Sequence, residues 1–435
     1  MYSFNITRST DFLFWSIFMF VFLYAPPVIP YFHIFVGFVI IVVMVFTFNK
    51  HYFETYKLSN MSTWFKMMLG VFLYALLIPL PLSAYYGDIV DFPHYYHLFN
   101  RFAVLIYMEI IYGIFLLTRF KLKERSYLYL IKVLIAAAVF QSFLGCMALI
   151  FPSIKDMFLS LMINMGSLST EKEGMLSIRT FGFALSMLDQ FGLGTGLIAG
   201  ISFYIGVNYK SKYILYSLLI MVAAVLNSRT GIVIYAIGII IAAAFSIFIN
   251  KNPKTMIKSL AFIILVPTLF VFTIDIISQY NDMTSEWISK GIESIIELFS
   301  TGSSNTDDMS VISSERFWQL PDAAHILIGT GHSRYEAEGY LHTDCGIVND
   351  IWFVGVIGLI LLYGVVFYIC WKIYKDARFS LEKFIAIFFI CSFCAFDIKG
   401  ATIGYNMGGA VFFLILFSTR FYQRISVDKK GLNIT

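Results

Sequence analysis

YILYSLLIMVAAVLNSRTGIVIYAIGIIIAAAFSIFI, residues 213–249, holds one charge, Arg229, in a run long enough to cross a bilayer twice at about 20 residues per helix. The two apolar halves meet at Asn227-Ser228-Arg229-Thr230-Gly231, a cluster of turn-forming residues. Lys210 and Lys212 precede the run and Lys251 and Lys254 follow it, so basic residues flank both outer ends. Basic flanks mark the cytoplasmic side, which turns the Arg229 hairpin outward.

The same reading extends along the chain. Of 435 residues, 59% are hydrophobic and 13% charged, whereas an ordinary soluble domain has about 25% charged residues. With 46 Phe and a mean hydropathy of +0.78, the apolar residues exceed what one aqueous core can hide. A soluble fold is excluded, and the fold class is an all-α polytopic membrane protein, a single integral membrane domain over residues 1–435. The net charge of +4 gives no case for a nucleic-acid partner. Five cysteines make no disulfide framework, and Cys391 and Cys394 read as helix packing. The first apolar run has only Arg8 before it and no small-residue cleavage site, so it reads as a retained helix.

Charge clusters and Pro/Gly breaks divide the chain into about twelve transmembrane segments: 11–26, 31–48, 64–84, 100–118, 128–151, 183–206, 213–228, 231–249, 259–276, 347–371, 384–398 and 406–420. Alternate connections carry Lys50 and Lys57, the run Arg119, Lys121, Lys123 and Arg125, and Lys372, Lys375 and Arg378. This bias sets both termini in the cytoplasm. Two outer connections are long, 152–182 and 277–346, and long loops in such a chain carry function. In the second, Trp287, Ile288, Ile292, Ile295, Ile296 and Phe299 share one helical face, predicting an amphipathic helix over 284–300 in the outer interface. Residues 301–308 read as a flexible link, and Ser313-Ser314-Glu315-Arg316-Phe317-Trp318 as a capped helix start with Arg316 in its first turn.

Arginines mark the outer face. Arg179 enters the sixth segment, Arg229 sits in the hairpin, and Arg316 and Arg334 lie in the last long loop. A guanidinium fork matches phosphate oxygens bidentately, as a lysine does not. The competing reading, snorkelling to headgroups, is weakest for Arg229, whose hairpin leaves little chain and is followed by Gly231. Arg179 and Arg316 are each followed thirteen positions later by a glycine, Gly192 and Gly329. Among the acids in or near apolar helices, Glu109, Asp189 and Asp397 read as paired groups and Asp350 as a cavity-lining one.

An arginine-glycine hairpin in mid-chain, a large outer loop, Gly329-Thr330-Gly331, the segment His342-Thr343-Asp344 and a helix with Gly355-Val356-Ile357-Gly358 together resemble the superfamily of O-antigen polymerases (Wzy-type) and O-antigen ligases. The topological resemblance spans nearly the whole chain, and the residue match covers 225–232 and 316–358. The polymerase branch carries Arg-x10-Gly in two periplasmic loops, where this chain has Arg-x12-Gly in both.

The resemblance implies a GT-C-like helix bundle in the bacterial inner membrane with a periplasmic active site. It implies transfer of a glycan from an undecaprenyl-diphosphate-linked donor to an acceptor hydroxyl, with no cofactor and no metal. It also implies membrane lipids and a chain-length regulator protein as partners. The diphosphate would be held by Arg179, Arg229, Arg316 and Arg334. Diphosphate is a good leaving group, so the chemistry asks for positive charge at the departing oxygens and for a base at the acceptor hydroxyl. His342 is the candidate base, with Asp344 as alternative or orienting partner. Two other readings stand beside polymerisation: a ligase delivering polymer to lipid A core, which shares the chemistry, and a flippase or transporter for the lipid-linked glycan.

Overall fold

The computed structural model describes residues 9–24, 61–85, 126–164, 188–250, 253–278, 345–398 and 407–432, most of 314–331, and residues 182, 184, 289 and 400. All regular elements among them are helical. The helices are α1 (Ser9–Tyr24), α2 (Met61–Leu77), α3 (Pro79–Tyr85), α4 (Ser126–Ile150), α5 (Pro152–Asn164), α6 (Leu188–Asn208), α7 (Lys212–Asn227), α8 (Arg229–Ala244, running into a π turn, Phe245–Asn250), α9 (Pro253–Ser278), α10 (Gly346–Lys375), α11 (Ser380–Asp397) and α12 (Met407–Leu432). Among the described residues, four spans are long and apolar enough to cross a membrane: Tyr127–Ile150, Phe191–Asn208, Thr230–Ile249 and Gly346–Lys375. The expected segments 31–48 and 100–118 lie outside the described residues, and each of the others falls on a helix.

The chain forms two compact units, one of Met1–Thr47 with Ile114–Ile288, the other of Phe48–Gly113 with Ser289–Thr435. In the first unit α6 is the interior helix: 94% of its apolar window is buried, against 50% in α4 and α8, and it packs on α4, α7, α8 and α9. Its small residues permit this closeness, the packing mode of helices in lipid. A Cβ added at Gly196 would stand 2.9 Å from the Gly231 carbonyl oxygen and the Ile234 Cβ of α8. Buried hydroxyls then tie the helices: Ser202 donates to the Tyr213 carbonyl at 2.9 Å, and Ser217 to the Ala199 carbonyl at 2.8 Å, with Tyr235 Oη 3.0 Å away.

In the second unit α10 packs on α2, α11 and α12. Phe384, Phe388, Phe389, Phe393 and Phe396 of α11 are buried, and the rings of Phe389 and Phe412 lie 4.9 Å apart. Near the Lys372–Lys375 end of α10, polar side chains join the three helices. Gln423 donates to the Ile373 carbonyl at 2.9 Å and to Glu382 Oε2 at 3.0 Å, the Arg378 N–H donates to the same oxygen at 2.9 Å, and Arg420 reaches Asp376 at 2.5 Å.

Two details differ from the sequence reading. The outer connection from 152 begins as α5, because Pro152 occupies a helix's first position, where its missing N–H costs nothing. The capped start at 313–318 does not become a helix: Ser314 caps the Phe317 N–H at 3.3 Å, but the described residues of 314–320 form only turns before Pro321. A proline turns its predecessor away from helical geometry, which ends the segment after one turn. Cys391 and Cys394 are exposed residues of α11.

Candidate functional site

In the first unit the candidate geometry is the hairpin between α7 and α8. Ser228 alone separates the helices, extended at φ −151, ψ 129. Its N–H donates to the Ala224 carbonyl at 2.7 Å, and its hydroxyl oxygen accepts the Thr230 N–H at 3.3 Å. Arg229 therefore heads α8, at the positive end of the helix dipole. A cation is unfavourable there unless an anion offsets it, and an anion would be attracted by the guanidinium and the helix terminus together. The backbone of Arg229 is described; its side chain lies outside the described residues.

The hairpin rests on α6 through glycine. A Cβ at Gly192 would stand 2.8 Å from both the Gly231 nitrogen and the Ser228 hydroxyl, so only glycine fits. Two polar side chains of 0% exposure also belong to this unit, Tyr24 at the end of α1 and Asn227 at the end of α7. The Tyr24 ring lies 5.8 Å from that of Phe191, the residue before Gly192. Neither the Tyr24 hydroxyl nor either end of the Asn227 carboxamide meets a hydrogen-bonding partner among the described residues. An unmet buried polar group costs about 1–3 kcal/mol.

In the second unit the motif residues Gly329-Thr330-Gly331 and Gly355 come together. Gly355 has φ +66, ψ 178 and breaks α10. The freed backbone groups are taken up by residues 326–331: the Thr330 N–H donates to the Trp352 carbonyl at 2.7 Å, Gly331 to Phe353 at 3.2 Å, Val356 to Ile326 at 2.9 Å and Ile357 to Leu327 at 3.1 Å. The Tyr74 hydroxyl donates across the break to the Val354 carbonyl at 3.2 Å, and the Trp352 indole N–H donates to the Gln319 carbonyl at 3.1 Å. Asp322 fixes the turn that leads in, its carboxylate accepting the His325 N–H at 2.9 Å. Backbone broken within an apolar helix needs such protein partners, because apolar surroundings offer none.

The expected site residues divide accordingly. Arg179, Arg316, Arg334, His342 and Asp344 lie outside the described residues, as do Glu109 and the side chain of Asp189. Asp397 is buried and accepts a hydrogen bond from the Tyr363 hydroxyl, the pairing expected of it. Asp350 is buried in the first turns of α10. Tyr24 and Tyr74 carried no signal in the sequence, each standing in an apolar run where a tyrosine reads as packing. Asn227 was visible as a hairpin residue, but its burial was not. No family model, curated protein or solved structure matches the chain.

Proposed function

We propose that the chain is a membrane-embedded glycosyltransferase that polymerises undecaprenyl-diphosphate-linked repeat units at the periplasmic face of the bacterial inner membrane, with twelve spans and both termini cytoplasmic. The observation that carries this reading is Arg229 at the head of α8, on a hairpin seated against Gly192 of a buried helix. An arginine heading a helix suits a diphosphate by charge, its guanidinium fork and the helix N-terminus both favouring an anion. Arg179, Arg316 and Arg334 supply further cations from the outer loops.

In the reaction the acceptor hydroxyl oxygen attacks the anomeric carbon, the bond from that carbon to the diphosphate oxygen breaks, and the bonding pair leaves with the lipid diphosphate. The arginines stabilise the charge that collects on the departing oxygens, each well-placed donor contributing about 3 kcal/mol. The hydroxyl proton passes to His342, with Asp344 orienting the ring or taking the proton itself. Purified protein supplied with lipid-linked repeat units should lengthen them. Arg179→Lys, Arg229→Lys and Arg316→Lys keep the charge and lose the fork, and at least two should lower chain synthesis tenfold or more. Normal synthesis by all three would overturn the assignment.

Transport has one observation in its favour, the break in α10, since discontinuous helices form the sites of many transporters. Seventeen residues separate Gly355 from Lys372, which at about 1.5 Å each is about 26 Å, close to the hydrocarbon thickness of about 30 Å. That spacing favours an outer-boundary site over a midplane one. Translocation of lipid-linked glycan by proteoliposomes, without chain growth, would decide for transport.

A further inference from the structure

One face of α10 is apolar, exposed and capped by lysines. Ile357, Ile360, Leu361 and Phe367 are exposed, and nothing lies within 4 Å of a Cβ built at Gly364. These positions recur at helical spacing, and the face carries on through the exposed rings of Trp371 and Tyr374. Fourteen residues separate Ile357 from Trp371, about 21 Å at about 1.5 Å each, which exceeds the share of about 15 Å that one leaflet takes of the hydrocarbon.

At the Trp371 end stand three lysines. Lys372 Nζ lies 4.9 Å from the Trp371 ring centroid and 5.6 Å from that of Tyr368, and Lys375 Nζ lies 5.2 Å from the same Trp371 ring. Lys383 Nζ, from the first turn of α11, lies 5.7 Å from the Tyr374 ring. The acids at this end turn to other partners: Asp376 pairs with Arg420, and Glu382 accepts from Gln423 and from the Arg378 N–H. Among the described residues, none of the three lysines pairs with a carboxylate. Lys372 and Lys375 complement the C-terminal end of the α10 dipole, but Lys383 sits where the α11 dipole opposes a cation. An anion shared by the three relieves both that opposition and their mutual repulsion.

A positive end set among aromatic rings and continued by an apolar face matches the two halves of an anionic phospholipid. Soluble phosphate would leave the apolar face unmatched, and a zwitterionic lipid would leave excess positive charge. We infer that Lys372, Lys375 and Lys383 hold the headgroup phosphate of an anionic phospholipid, with one acyl chain lying along the Ile357–Phe367 face of α10. The inference goes beyond the reaction proposed above and requires only that α10 span a membrane.

The test uses the full-length protein in nanodiscs and brominated lipids, which quench nearby tryptophan; the difference between wild type and Trp371→Phe isolates the Trp371 signal. Brominated phosphatidylglycerol should quench Trp371 at a mole fraction at least fivefold lower than brominated phosphatidylcholine. Each of Lys372→Gln, Lys375→Gln and Lys383→Gln should shrink that preference by up to about fivefold, and the triple variant should abolish it. Removing as many cations elsewhere, in Lys210→Gln, Lys212→Gln and Lys254→Gln together, should leave it intact, and soluble glycerol phosphate should not displace the lipid. The proposal is overturned if wild type shows no preference, if the triple variant keeps it, or if the two triple variants lose it equally, which would reduce it to overall charge. Displacement by glycerol phosphate would also overturn it, in favour of a soluble anion. Absence of quenching by either lipid, with Lys375→Cys cross-linking between two copies, would give the face to self-association instead.

Discussion

Gly355→Ala tests whether the break in α10 is built by glycine. At φ +66, ψ 178 the backbone lies in a region open essentially to glycine, and a side chain there costs about 1–3 kcal/mol. The new Cβ would also stand 2.5 Å from the Gly329 and Ile328 nitrogens, so residues 326–331 would have to lift away. Four backbone hydrogen bonds join those residues to α10, each worth about 0.5–1.5 kcal/mol net, and losing two of them brings the total to about 4 kcal/mol. Gly329→Ala strikes the same contact from the other side, its Cβ 2.6 Å from the Gly355 nitrogen. The double variant should therefore cost little more than either single one, a coupling of about 2 kcal/mol. Gly364→Ala is the control: nothing lies within 4 Å of its Cβ, and alanine should gain up to about 1 kcal/mol in the helix. The assay is the apparent Tm of the detergent-purified protein at fixed scan rate. Additive losses in the double variant, or a Gly355→Ala protein as stable as Gly364→Ala, would refute the reasoning.

Gly192→Ala should lower the apparent Tm by a few degrees, because its Cβ meets backbone and Ser228 at 2.8 Å, whereas Gly145→Ala in the same unit has open space and should not. Gln423→Leu removes two hydrogen bonds that join α12 to α10 and α11 and should destabilise by about 2 kcal/mol, read from the same melts. For topology, a cysteine at Ser303 should be labelled by an impermeant reagent from outside and one at Lys123 should not; the reverse pattern would invert the chain.

How far the sequence reached depends on which physical signal each feature leaves. Helices left a strong one, since bilayer-length apolar runs bounded by charge need no tertiary information, and the hairpin at Asn227–Gly231 falls where the turn residues put it. The break in α10 left a partial one: the Gly-x-Gly and Gly-x-x-Gly patterns were visible as motifs, while their contact depends on a chain reversal that no local pattern encodes. Tyr24 and Tyr74 left none. A tyrosine in an apolar run looks the same whether its hydroxyl spans a helix break, as at Tyr74, or lies buried with no partner among the described residues, as at Tyr24. The helix start read at Ser313 failed because a good capping residue was weighed without Pro321, which stops the turn.

The shared thirteen-residue spacing from arginine to glycine shows how one residue type can serve two physical ends. Gly192 lies inside α6 with ordinary helical backbone, and its use is spatial: the absence of a Cβ lets the Ser228–Gly231 turn close on the helix. Gly329 stands at φ +85, and its use is conformational as well, since the chain must enter the left-handed region to lay its neighbours along the break at Gly355. A duplicated element would repeat the backbone geometry along with the spacing, and these two do not. The echo is therefore one of composition, in which each glycine lets backbone approach backbone at the motif its own unit contributes. In the first unit the glycine seats the arginine hairpin; in the second it satisfies an interrupted helix. Close backbone approach fixes geometry without adding a side chain to the site, so the chemistry falls to the few polar residues these contacts hold in place.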